Sequence, residues 1–420
     1  MTIEQALNKL FALHTFGMKL GLDNIKNFLD HIGNPQDKLR VIHIAGSNGK
    51  GSTAAFLGSI LQELGNKVGL YTSPHFVRYN ERIKINGNEI SDEYVANFVT
   101  KYDNFISEHK LTFFEATTAI AFQYFVDEKV DIAVVETGLG GRLDATNVLN
   151  PIAVVITSIS LEHTHILGDT TEKITTEKAG IIKPKINVFT GMLPSEAIKT
   201  IEDKCKDYDC KYYKLSDYII KRKDSIELYT EEIELDDFSM PLRGIYQRYN
   251  AALAGLVVSK IFSTDDFLHI ERGIKNVIKN TGLEGRYEYY NTHPDIIFDS
   301  AHNPEGVTNF LDEFKKDSKS YKKRVLLFGV MKDKSIKDML TELNKYFHEI
   351  RVTNINYERA AKAEDLLNLA QEINIKVEEE PEPVKYIESF RNKDEDNCLV
   401  VLGSIYLLGE IKSKIRHEIA

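Results

Sequence analysis

Val41-Ile42-His43-Ile44-Ala45-Gly46-Ser47-Asn48-Gly49-Lys50-Gly51-Ser52 reads as a short apolar strand that runs into a glycine-rich turn and opens a helix. The glycines let the backbone curl so that several N–H groups point inward, as a phosphate chain requires. Residues 53–64 then carry apolar side chains at helical spacing (Phe56, Leu57, Ile60, Leu61, Leu64), with Gly65 as the expected stop. Val68–Tyr71 is the next strand. Strand, turn, helix and strand in this order predict a parallel sheet covered by helices. Lys50 would set a point charge against the outer phosphates, and Ser52 a hydroxyl beside magnesium, with the helix N-terminus adding partial positive charge. The spacing departs from G-x-x-x-x-G-K-[ST], because Gly51 stands between Lys50 and Ser52.

Outward from this turn the same rhythm continues. Residues 116–127 predict a helix, and 131–137 and 152–157 are apolar runs expected of strands buried on both faces. Between residues 212 and 240 the texture changes. Residues 225–229 and 232–235 alternate polar and apolar, which predicts small antiparallel strands open to water on one side. Residues 246–262 predict a long helix. A second α/β pattern begins near residue 287, with strands at 295–298, 324–329, 350–354 and 398–403, and helices at 306–316, 335–347 and 363–373. Thr281-Gly282-Leu283-Glu284-Gly285 punctuates the join. The acidic run Glu378-Glu379-Glu380-Pro381-Glu382-Pro383 reads as a solvated turn.

The bulk numbers narrow the function classes. With 420 residues, 42% hydrophobic and 28% charged, the chain is long enough for two domains with sizeable cores. A formal net charge of −10 disfavours general nucleic-acid binding. No apolar stretch approaches the length of a membrane span, and the N-terminus lacks a signal-peptide pattern. Three cysteines, Cys205, Cys210 and Cys398, fit a reducing cytoplasm, and the 205/210 spacing does not suit zinc.

Some candidate chemistry follows from the residues alone. Glu136 ends a predicted buried strand, where open α/β sheets place their ligands, and a carboxylate suits Mg²⁺. His163, in Ser158-Ile159-Ser160-Leu161-Glu162-His163-Thr164, follows another such strand and would reach the same edge. Glu115 is a weaker candidate that would support the loop. Read alone, Thr72-Ser73-Pro74-His75-Phe76 is a stiffened loop, and Lys178 is a solvated lysine.

Taken together, these segments resemble the folylpolyglutamate synthases and dihydrofolate synthases, which group with the Mur peptidoglycan ligases as ATP-dependent amide ligases. The resemblance rests on the Gly46–Ser52 turn, Ser73-Pro74-His75, and Glu136-Thr137-Gly138-Leu139-Gly140-Gly141-Arg142-Leu143-Asp144-Ala145-Thr146-Asn147. It extends to Glu162-His163, Glu177-Lys178-Ala179-Gly180, Gly285-Arg286 and Asp299-Ser300-Ala301-His302-Asn303-Pro304, and spans the chain from Gly17 to Tyr406. The departures are Ser47 for a usual Thr, Glu162 for Asp, and Ser300 for Gly. The implied fold class is α/β. It pairs an N-terminal P-loop ATPase domain (1–283), with a parallel-rich sheet and a small antiparallel sheet, with a smaller C-terminal Rossmann-like domain (287–420).

The resemblance also implies roles. ATP would lie on Gly46, Asn48, Gly49, Lys50, Gly51 and Ser52, with Asn250 near the adenine, Arg286 on the phosphates and Asp299 on the ribose. Two Mg²⁺ ions would be held by Ser52, Ser73, Glu136, His163 and a carbamylated Lys178. His302 and the segment Gly403-Ser404-Ile405-Tyr406-Leu407 would lie near the entering glutamate. Lys50, Lys178 and His302 form the implied catalytic set. The expected activity is addition of L-glutamate to dihydropteroate and to folates through an acyl phosphate, by a cytoplasmic monomer that binds neither nucleic acid nor membrane. A dedicated folylpolyglutamate synthase and another Mur-type ligase are the alternatives. A P-loop nucleotide switch is the reading from a different class, and the implied metal set argues against it.

Overall fold

The computed structural model describes residues 1–13, 21–222, 225–235, 238–262 and 266–419, so residues 17–20 of the resemblance lie outside the described residues. The chain divides into two compact units. One comprises residues 1–74, 79–241 and 247–283, and the other 75–78, 242–246 and 284–420. Among the described residues no helix is long and apolar enough to cross a membrane.

The first unit is built on an eight-stranded sheet. Its strands are β1 (Val41–Ala45), β2 (Val68–Tyr71), β3 (Ile83–Ile85), β4 (Asn88–Glu89), β5 (Ile132–Glu136), β6 (Ala153–Ile156), β7 (Asn187–Thr190) and β8 (Lys211–Lys214), in the order β4-β3-β2-β5-β1-β6-β7-β8. The strands from β2 to β8 in that order run parallel, and β3 and β4 are antiparallel at one edge. β1 is central and every one of its residues is buried, which is why it reads as an unbroken apolar run. The helix after it, Lys50–Glu63, closes with Gly65 N–H on Gln62 O and Asn66 N–H on Leu61 O, the pair of bonds a glycine stop permits. Helix Phe113–Asp127 begins with a reciprocal cap: Thr112 Oγ1 accepts from Glu115 N–H, and Glu115 accepts from Thr112 N–H. The Glu115 carboxylate therefore serves a helix terminus.

The same unit carries the expected small antiparallel sheet: β9 (Ile219–Lys221), β10 (Ile226–Tyr229) and β11 (Glu234–Leu235), in the order β11-β10-β9. Along β10 the burial alternates, with Ile226 and Leu228 turned inward.

The second unit holds a six-stranded sheet: β12 (Glu288–Asn291), β13 (Asp295–Asp299), β14 (Lys323–Phe328), β15 (Glu349–Val352), β16 (Glu378–Glu379) and β17 (Asn397–Leu402). Its order is β12-β13-β17-β14-β15-β16, parallel except for β12. The acidic run is not a solvated turn. Glu378 and Glu379 form the edge strand on β15, and Pro383–Phe390 is a helix. Arg351 reconciles the charges with the edge, since its guanidinium meets Glu380 at 3.1 Å and Glu349 at 2.6 Å, and Glu380 is only 9% exposed.

Candidate active site

Three parallel strands deliver the first unit's candidates to one sheet edge: β1 ends at the glycine-rich turn, β5 at Glu136, and β6 just before Thr157 and Ser158. The turn is tied to the β6 end. Ser47 N–H donates to Ser158 O (2.8 Å), Asn48 N–H to Ser158 Oγ (2.8 Å), and Thr157 Oγ to Asn48 O (2.6 Å). Ser47 Oγ accepts from Ser160 N–H at 2.9 Å. Serine at this position thus keeps the hydroxyl that anchors the turn. Gly49 has φ +84°, and a Cβ there would lie 2.6 Å from Asn250 Oδ1, so only glycine fits. Asn250 is buried on helix Ile245–Phe262, where its amide donates to Gln247 Oε1. Lys50 folds back over the turn, and its ammonium donates to Gly46 O (2.9 Å) and Ser47 O (3.1 Å). Ser52 is buried in the first turn of its helix.

Glu136 is buried, and its carboxylate accepts from Ser73 N–H at 3.1 Å, which brings together two of the residues expected to hold metal. His163 has φ 46° and stands at the start of the short helix Thr164–Leu167. Lys178 is 1% exposed, so the reading of a solvated lysine fails. Its ammonium donates to Gly46 O (2.9 Å) and to Glu162 Oε1 (2.7 Å). Burial pushes the Lys178 pKa down to about 8, although Glu162 pulls the other way. Burial alone would raise the Glu162 carboxyl, but the charges of Lys178 and Lys50 outweigh it and hold it at about 2. Glu162 is thus the counter-ion of Lys178, a partnership that the sequence spacing did not reveal.

A second buried chain of bonds shapes the loop after Glu136. Asp144 accepts from Gly138 N–H (2.8 Å), Leu139 N–H (2.9 Å) and Thr146 Oγ (2.5 Å). Because the Thr146 proton goes to Asp144, Thr146 Oγ accepts from His43 Nε2–H at 2.8 Å. Burial and then the Lys183 charge lower the His43 pKa to about 3, which keeps the ring neutral. Neither residue was singled out from the sequence. A polar residue inside an otherwise apolar strand was the available signal for His43.

In the second unit, Arg286 Nη1 donates to Gly285 O (3.0 Å) and to the Ser300 hydroxyl. Asp299 ends β13 and accepts from Tyr287 N–H and Ala301 N–H, both at 2.8 Å. Burial raises its pKa, opposed by Arg286 and by those N–H groups. His302 Nδ1 lies 2.9 Å from Ser300 O. A carbonyl can only accept, so Nδ1 carries the proton and Nε2 is the basic nitrogen. Ser300, which stands where glycine was expected, thus touches both Arg286 and His302. Asn303 caps helix Pro304–Asp317 by accepting from Gly306 N–H.

Among the described residues no cluster of three or more His, Cys, Asp or Glu side chains is spaced to hold a metal. The expected set contains only two such side chains, Glu136 and His163, the rest being hydroxyls and a modified lysine. The residues nonetheless fit a nucleotide–magnesium pair: a glycine cradle, a cation over it, a buried carboxylate, and the buried Thr137 and Ser160 hydroxyl oxygens without hydrogen-bond partners.

Comparison with known proteins gives a consistent picture. Residues 44–258 match the Mur ligase middle domain, and residues 285–405 match the Mur ligase, glutamate ligase domain. The chain is 35% identical over 417 residues to the dihydrofolate synthase/folylpolyglutamate synthase of Bacillus subtilis, covering 96% of each chain. It superposes on E. coli FolC in complex with DHPP and ADP with a TM-score of 0.88 at 28% identity, covering 100% of this chain and 99% of that one. It is also similar to a bifunctional folylpolyglutamate synthase/dihydrofolate synthase with Mn, AMPPNP and L-glutamate bound. The TM-score there is 0.85 at 26% identity, covering 99% of this chain and 98% of that one.

Proposed function

Because the chain belongs to the dihydrofolate synthase/folylpolyglutamate synthase family of Mur-type ATP-dependent ligases, we propose that it adds L-glutamate both to dihydropteroate and to reduced folates. That it is an ATP-dependent glutamate ligase follows from the family. The finer reading is supported by Ser73-Pro74-His75 and residues 141–147, two segments that resemble the dihydrofolate-forming members, the second of them fixed in place by the Asp144–Thr146–His43 bonds.

In this reading a substrate carboxylate oxygen attacks the γ-phosphorus of ATP, and ADP leaves. Lys50 binds the outer phosphates and balances the charge on the transferring oxygens. Ser52, Ser73, Glu136, His163 and Lys178 are the residues that would hold two magnesium ions, and magnesium there supplies Lewis-acid neutralisation of phosphate charge. Lys178 would do so as its carbamate. Burial, by lowering its pKa to about 8, makes the neutral amine that adds to carbon dioxide more populated than in an exposed lysine. The glutamate amine then attacks the acyl phosphate carbonyl. His302 Nε2, left basic by the Nδ1–H bond to Ser300 O, takes the amine proton, and phosphate leaves. Asn250, Arg286 and Asp299 orient the nucleotide. We also read the protein as a cytoplasmic monomer; its three free cysteines fit a reducing compartment.

The test is phosphate release with Mg-ATP and glutamate, using dihydropteroate and tetrahydrofolate in turn as acceptor. Turnover with both is expected. Turnover with tetrahydrofolate alone would make it a dedicated polyglutamylase.

A further inference from the structure

The C-terminal helix Ile405–Ile419 carries a lysine that neither the metal set nor the nucleotide turn uses. Lys412 is only 6% exposed, and its ammonium lies between two carboxylates: Glu284 Oε2 at 2.7 Å, and Glu288 Oε1 and Oε2 at 2.8 and 2.7 Å. The rings of Phe76 and Phe298 pack beside it, with centroids 5.4 and 6.0 Å from Nζ. A buried ammonium needs its partners, because removing one side leaves uncompensated charge. These partners bracket Arg286 in the sequence, two residues before it and two after it.

The backbone between them is not relaxed. Gly285 has φ +64° and Tyr287 φ +47°, so Arg286 sits between two left-handed residues, one of them a bulky aromatic. Such a conformation persists only where its surroundings over-determine it. Two restraints are visible. Tyr287 N–H donates to Asp299 Oδ2 at 2.8 Å, on one side. On the other, Gly285 N–H donates to Glu288 Oε2 at 2.7 Å, the same carboxylate that Lys412 holds. A Cβ at Gly285 would lie 2.5 Å from the Phe76 ring, so the segment is also fixed by close packing.

We infer that Lys412 is a positioning residue for nucleotide binding: it fixes the Glu288 carboxylate that holds the strained Gly285–Tyr287 turn, and so sets where the Arg286 guanidinium lies. This rests on the proposed role of Arg286 at the ATP phosphates. Lys412 itself touches no reacting atom. Its loss should therefore weaken the use of ATP more than the chemistry that follows.

The test is steady-state phosphate release with varied Mg-ATP, at saturating glutamate and acceptor, for Lys412→Met, Lys412→Arg, Glu288→Gln and Arg286→Ala, with a thermal unfolding midpoint for each. Lys412→Met is expected to raise the KM for ATP about tenfold while kcat changes less than about threefold. Lys412→Arg, which keeps a cation between the two glutamates, is expected to restore the KM to within about twofold of wild type. Glu288→Gln is expected to raise the KM in the same direction, and it decides the matter if Lys412→Met does not fold. A raised KM in Arg286→Ala beside an unchanged KM in Lys412→Met or Glu288→Gln overturns the inference and spares the reading of Arg286. An unchanged KM in Arg286→Ala overturns both. Equal impairment by Lys412→Arg and Lys412→Met would show that the positive charge is not what matters, and would also overturn the inference.

Discussion

Lys50→Met lowers kcat for glutamate ligation by about a thousandfold while leaving the protein folded. The side chain sits over the glycine-rich turn and donates to Gly46 O and Ser47 O, the position from which a single cation meets a phosphate chain. Lys50 is only half-buried and Gly46 O still accepts from Lys178 Nζ, so the stability loss should be about 1 kcal/mol. Methionine keeps the stem and removes only the charge. Single-turnover phosphate release and a thermal melt measure the two quantities separately. A kcat within tenfold of wild type would mean that Lys50 does not carry the transferring charge.

Lys178→Met should act on both stability and activity: measured against the wild type before carbamylation, with the lysine still a cation, it strands a buried carboxylate. Glu162 loses the partner 2.7 Å away that holds its pKa near 2, and a buried pair broken on one side costs about 3 kcal/mol. Adding Glu162→Gln should recover much of that stability, since the second charge is then gone as well. Activity should not recover, because the group proposed to approach the metals is absent in both variants. Denaturant melts of the two single variants and the double variant give the coupling. With carbon-13 bicarbonate, the wild type should show a carbamate resonance that Lys178→Met lacks. A double variant no more stable than Lys178→Met would contradict the pairing, and a fully active Lys178→Met would contradict the metal role.

The sequence made some of this plain and hid the rest, for definable reasons. β1, the turn and the helix Lys50–Glu63 were readable because a fully buried parallel strand is a continuous apolar run, and the helix that follows repeats its apolar residues at helical spacing. Glu136 was readable as a strand-end carboxylate. Lys178 was not. Its burial depends on Glu162, sixteen residues away in the chain, and no local pattern encodes a long-range ion pair. The acidic edge strand Glu378–Glu379 looked like a solvated turn because its neutralising partner, Arg351, lies on the neighbouring strand. β12 was passed over because it is half-buried and mixed in polarity along its four residues. Lys412 stayed hidden for the same reason as Lys178: both are ordinary surface residue types whose role appears only once distant carboxylates surround them.

The central claim is that ATP activates an acceptor carboxylate and glutamate captures it. It is tested most directly with dihydropteroate labelled with oxygen-18 in its carboxylate, incubated with Mg-ATP, glutamate and the protein. An acyl phosphate predicts that each glutamylated product is matched by one phosphate carrying a single labelled oxygen. Phosphate without label, or phosphate released with no glutamylated product, would contradict it.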